Sequence, residues 1–215
     1  MLVPKLTAAV FAAMLLGGAA DATSFVGDYT VAANFADPGL AVRIDTDAGV
    51  GGDQHVGAIN LDLALGVPQA IFLFDIFSAE NSVDVLACPA GDTCAKPISV
   101  AFDLTPALTG GSFTGATVGA FVLLALQEGQ LVWDDGDQDF AFGNGGVLNI
   151  QLNNTTFGTK LFGVDQGTPG TVYATFTLVE NAVPEPANWA MMIAGFGLIG
   201  GALRHRRGRN SVSFA

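Results

Sequence analysis

From Phe25 to Val179 the chain repeats one device: apolar residues fall at every second position, and the runs are broken by short glycine, aspartate, asparagine and proline clusters. A period of two puts successive side chains on opposite faces of a strand, so the pattern calls for strands with one buried and one wet face. In AINLDLAL, Ile59, Leu61, Leu63 and Leu65 are expected inward while Asn60 and Asp62 face water. ISVAFDL sets Ile98, Val100, Phe102 and Leu104 inward in the same way. GVLNIQLNN sets Leu148, Ile150 and Leu152 against Asn149, Gln151 and Asn153, and TVYATFTLV sets Val172, Ala174, Phe176 and Leu178 against Thr171, Tyr173, Thr175 and Thr177. The intervening ADPG, DAGVGGD, DDGDQD, GNGG and DQGTPG supply the positive or fixed φ that tight turns need. Short strands so punctuated, with no long amphipathic helix and no repeat of fixed period, predict an all-β fold: an antiparallel, jelly-roll-like β-sandwich over residues 23–182.

Two segments break the alternation. AIFLFDIF is apolar at nearly every position, which predicts a strand buried on both faces or lying at the centre of the sandwich. AFVLLALQEGQLVW has the composition of a short helix, but its flanking glycines and the spacing of Leu131 and Trp133 favour a hairpin.

The two ends differ from the body. Residues 1–22 have one early charge at Lys5, an apolar run from Leu6 to Leu16 and then small residues ending Ala20-Asp21-Ala22, the layout of a secretory signal peptide with its cleavage site at Ala20 and Ala22 and the mature start at Thr23. The body that follows holds eighteen acidic residues against Arg43, Lys96 and Lys160, a net charge of −15. Such a body repels phosphate backbones and anionic headgroups, which excludes nucleic acid as a partner. Its two cysteines, Cys88 and Cys94 in CPAGDTC, suit a small disulfide-closed loop in an oxidising compartment.

At the other end, residues 183–210 read as a separate tail, with residues 211–215 as its tip. Pro184-Glu185-Pro186 lacks two ladder N–H groups and cannot continue a strand. A hydrophobic helix is expected over residues 187–203, seventeen uncharged residues spanning roughly 25 Å, marginal but sufficient for a thin bilayer. Trp189 falls where an interfacial aromatic belongs, and the basic cluster over residues 204–209, with Arg204, Arg206, Arg207 and Arg209, is expected to stay cytoplasmic. A permanent single-span anchor is the competing reading of the same residues.

The order Pro-Glu-Pro, then Trp, an apolar Gly-rich run and an arginine cluster, in PEPANWAMMIAGFGLIGGALRHRR, resembles the PEP-CTERM sorting signal of Gram-negative bacteria. The resemblance covers about the last thirty residues and departs from the pattern only at His205. It implies that Pro184, Glu185 and Pro186 are the element recognised by an exosortase, a membrane-embedded, cysteine-protease-like enzyme. It also implies export by the secretion machinery, a transient stay in the inner membrane, and delivery to the cell surface or an extracellular matrix of exopolysaccharide and biofilm. The same tail occurs on some ice-binding proteins. Around FAFGNGGVLNIQLNNTTF and TVYATFTLV the body resembles β-rich passengers bearing this tail in sphingomonad-like bacteria, a likeness that speaks to fold and export.

For chemistry the body offers little. His55 is its one histidine, and no G-x-S-x-G is present, so no nucleophilic triad is expected and the protein reads as a non-enzyme. Calcium is the one cofactor candidate: Asp45, Asp47 and Asp53 share one Gly-rich loop, and Asp134, Asp135, Asp137 and Asp139 crowd into DDGDQD. Hard oxygen ligands on loops suit Ca²⁺, although neither run has EF-hand spacing, and a turn-forming reading of the same residues stands beside it. Trp133, ahead of the acidic turn, is either a sugar-stacking ring or core. A threonine array for ice is only hinted at by Thr171, Thr175 and Thr177. The expected function is therefore a structural or adhesive role at the cell surface, with a carbohydrate- or ice-binding module as the alternative and a secreted hydrolase behind both.

Overall fold

The computed structural model describes residues 22–33, 39–45, 54–88, 91–123, 125–182 and 186–207. Residues 1–21 of the expected signal peptide, Asp47, Asp53, Pro184, Glu185 and Arg209 lie outside the described residues, as do the side chains of Asp45, Pro186, Arg204, Arg206 and Arg207. Twelve described strands form two layers: β1 (Thr23–Ala33), β2 (Val42–Asp45), β3 (Gln54–Leu63), β4 (Gln69–Ser78), β5 (Lys96–Thr105), β6 (Ser112–Leu123), β7 (Leu126–Trp133), β8 (Asp137–Phe142), β9 (Gly146–Leu152), β10 (Thr155–Leu161), β11 (Gly163–Val164) and β12 (Gly170–Glu180). One sheet runs β10-β11-β7-β6-β5-β1-β3 and the other β2-β4-β12-β9-β8. The pairings are antiparallel apart from a single contact of Gly163 with Leu126 and an isolated bridge of Leu65 with Leu178. The architecture is the antiparallel β-sandwich expected from the period of two.

The alternating residues do what the pattern requires. Ile59, Leu61, Leu63, Ile98, Val100, Phe102, Leu104, Leu148, Ile150, Leu152, Val172, Ala174, Phe176 and Leu178 are all buried. Leu65 is the exception: it lies past the end of β3 and is half exposed. The aromatic residues of the two layers meet edge to face, Phe102 with Phe176, Phe113 with Phe140, and Phe25 with Phe142 at a centroid distance of 4.9 Å. These pairs combine burial worth about 1.5–3 kcal/mol per ring with favourable quadrupole geometry.

AIFLFDIF differs from its expectation. It forms β4, but only one face is fully buried, with Phe72 facing outward and 41% exposed. A β-bulge explains why the run looks continuous: Val172 pairs with Phe74 and Tyr173 with Phe72, so Leu73 is the extra residue and Leu73 and Phe74 both turn inward. AFVLLALQEGQLVW forms the β6–β7 hairpin, with Leu131 and Trp133 in the core. The Cys88–Cys94 disulfide closes its loop as expected, and Asp92 pins that loop down: its carboxylate accepts from Asp84 N–H at 2.7 Å and its carbonyl from Gly119 N–H on β6 at 2.7 Å. After the body, α1 spans Pro186–Arg207, a little longer than the helix expected over residues 187–203.

Candidate functional site

The outer face of the five-stranded sheet gathers the polar halves of four alternating strands. β12 presents Tyr173, Thr175 and Thr177, β9 presents Asn149 and Gln151, β8 presents Asp137 and Asp139, and β4 adds Phe72. The register lines these up in rows: Thr175 lies opposite Gln151 and Gln151 opposite Asp137, while Thr177 lies opposite Asn149 and Asn149 opposite Asp139. Cross-strand neighbours on one face stand about 5 Å apart, so each row is a continuous band of hydrogen-bonding groups.

These groups are held in place. Asn149 Nδ2 donates to Asp137 Oδ1 at 2.7 Å and to Asp139 Oδ1 at 2.9 Å, so one amide bridges two carboxylates along the strand edge. Gln151 Nε2 points toward Asp137 Oδ2 at 3.4 Å. Just beyond β9, Asn153 uses its side chain to prolong the ladder: its Oδ1 accepts from Tyr173 N–H at 2.6 Å and its Nδ2 donates to the Thr171 carbonyl at 3.0 Å. That contact fixes the backbone from which Tyr173 projects, and the Tyr173 ring meets Phe72 edge to face at 6.1 Å, leaving both rings partly exposed. Beside them runs an open groove of about 460 Å³ lined by Asp135, Asp137, Gln151, Asn153, Tyr173 and Thr175 among others.

The residues singled out from sequence fare unequally. The acidic loop reaches the groove, but three of its four carboxylates have protein partners: Asp134 Oδ2 accepts from Thr114 Oγ1 at 2.8 Å, and Asp137 and Asp139 share Asn149. Among the described residues no group of three or more metal-ligating side chains is placed to hold an ion. Asp45 ends β2, with Asp47 and Asp53 outside the described residues, so the first calcium candidate has no described geometry. Trp133 is not a stacking surface: it is 4% exposed, its Nε1 donates to the Asn153 carbonyl at 3.0 Å, and the body of its ring fills core. The exposed aromatic pair is instead Phe72 and Tyr173. Tyr173 could be assigned outward from its place between Thr171 and Thr175, but Phe72 could not, because the bulge that turns it outward is a tertiary feature. The hinted threonine row is real on β12 but is interrupted by Tyr173 and flanked by Phe72, so it forms no flat array of one residue type.

His55 lies in β3 facing Tyr29, with Nε2 3.3 Å from the phenol oxygen. Desolvation by burial lowers its pKa and raises that of Tyr29 to about 12. The Tyr29 hydroxyl donates to the Leu73 carbonyl of the opposite sheet, which makes the pair a cross-sheet tie.

At the end of the body, Thr23 Oγ1 lies 3.1 Å from Asn181 Oδ1, so the first strand begins and the last one ends side by side. From there the chain enters α1, where the described side chains, residues 190–200, are exposed, including Met191, Ile193, Phe196 and Leu198. Among the described residues no helix is long and apolar enough to cross a membrane, so the expected span has no support from the described side chains. No curated protein and no solved structure matches the chain. The model of the PEP-CTERM protein-sorting motif matches residues 182–207, which begin where β12 has ended and finish at the last residue of α1. The tail of the chain thus carries a PEP-CTERM protein-sorting motif.

Proposed function

We propose that this protein is a structural or adhesive component of the cell surface or extracellular matrix, linked to exopolysaccharide. The sorting motif carries the reading: it marks an exported protein whose processing partner is an exosortase. In this proposal residues 1–22 direct export and are removed, Pro184, Glu185 and Pro186 are the processing element, and α1 holds the inner membrane during transit with Arg204, Arg206, Arg207 and Arg209 on the cytoplasmic side. One observation supports the body's part in it. Thr23 and Asn181 lie side by side, so a chain tethered at both ends during export can fold without crossing its own tethers.

The test is the intact mass of the native protein with cell fractionation in its own host. A species beginning at Thr23, ending near Pro186 and recovered outside the inner membrane is expected. A species that keeps Arg204 to Ala215 in the inner membrane overturns the surface placement and makes the tail a permanent anchor.

A further inference from the structure

We infer that the outer face of the five-stranded sheet is a binding site for a neutral polysaccharide strand. Tyr173 and Phe72 are 47% and 41% exposed, and each braces the other edge to face, so the apolar surface they present is fixed rather than mobile. Rigid aromatic surface of this kind at a wet face suits ligands with flat apolar sides and polar rims. A sugar ring is such a ligand: its C–H face stacks on an aromatic while its hydroxyls need hydrogen-bond partners at the edge.

Those partners stand in the adjoining rows. Thr175, Gln151 and Asp137 lie across three neighbouring strands, and Thr177, Asn149 and Asp139 repeat the arrangement one row on. The Asn149 amide holds both carboxylates in one orientation while leaving each with free acceptor capacity. Hydroxyl, amide and carboxylate side by side match an array of donor-acceptor hydroxyls better than any single small anion or cation. From β4 to β8 the face is four strands wide, about 14 Å between the outer two, which accommodates a run of sugar rings rather than one. The groove beside Tyr173 is open to solvent, so a polymer can reach it from outside.

Charge selects the class of polymer. Asp134, Asp135 and Asp137 border the groove, with Asp139 on the adjoining row, on a body of net charge −15, which disfavours uronate- or sulfate-bearing chains and leaves neutral ones. That the strand is a matrix exopolysaccharide rests on the surface placement proposed above. The binding chemistry of the face does not.

Affinity electrophoresis of the full chain in mild detergent tests the site, with gels containing dextran, the neutral fraction of the host's extracellular polysaccharide, or alginate. Retardation is expected in at least one neutral gel and not in alginate. Tyr173→Ala is expected to weaken the binding about tenfold or more, while Tyr173→Phe, which keeps the ring, retains it. An unchanged unfolding midpoint for Tyr173→Ala separates lost binding from lost fold. No retardation in any neutral gel, equal retardation in alginate, or full binding by Tyr173→Ala overturns the inference. A correctly sorted protein that binds no neutral polymer retires this inference alone. Tyr173-dependent binding by a protein that stays in the inner membrane retires only the surface reading.

Discussion

Tyr29 shows how much one residue can join. Its ring lies across Gly57, where an added Cβ would sit 2.4 Å from the phenol carbons, so only glycine lets the ring lie flat against β3. Lying flat, it reaches past its own sheet to the Leu73 carbonyl, which belongs to the residue that the bulge in β4 leaves out of register. A buried carbonyl without a ladder partner needs another donor, and Tyr29 is that donor. Tyr29→Phe is therefore expected to cost about 1–3 kcal/mol, the penalty for a buried acceptor left unsatisfied, read as a lower urea midpoint at unchanged slope. A midpoint equal to the parent's would show that the carbonyl finds another donor.

At the level of elements, the seven-stranded sheet depends on close approach. Gly27 on β1 faces β5, where an added Cβ would fall 2.0 Å from the Asp103 carbonyl oxygen and 2.9 Å from Leu104 Cα. Both neighbours are backbone and cannot rotate away, so a methyl group would push β1 and β5 apart. Gly27→Ala is expected to destabilise by about 1–3 kcal/mol or more, measured by thermal or urea unfolding. Gly195→Ala on α1, where an added Cβ meets nothing within 4 Å, is the control and should leave the midpoint of the body unchanged. The β10–β11 turn carries the opposite device: Phe162 is held at φ 58° without being glycine and is 80% exposed. A non-glycine residue in that region carries strain of roughly 1–2 kcal/mol. The ladder around it, from Lys160 to Gly163 and from Gly163 to Leu126, over-determines its backbone.

For the whole molecule, the division between body and tail predicts that the two can be perturbed separately. Glu185 follows in the chain after the last strand of the body, which ends at Glu180, so Glu185→Ala is expected to leave the unfolding midpoint unchanged and to raise the share of unprocessed chain in the host that carries the exosortase. Identical mass and location for variant and parent would show that the carboxylate is not read. The tail can be legible at this resolution because a sorting enzyme reads a short linear segment, and the order of residues is all such a segment needs.

The sequence by itself determined the class of the fold, the inward set of most strands, the disulfide and the sorting signal, since each follows from period, spacing or linear order within one segment. Fourteen inward positions read from alternation are buried as expected, and Leu65 fails because alternation says which way a side chain points but not where a strand stops. Only the tertiary structure decided that Trp133 is core, that Phe72 faces out, and that Asn149 bridges Asp137 to Asp139. The reason is physical: those facts depend on which strands lie side by side and in what register, and a single bulge at Leu73 is enough to reverse a face. A surface made from rows that cross four strands exists only once the register is set, which is why the candidate site, unlike the tail, could not be read along the chain.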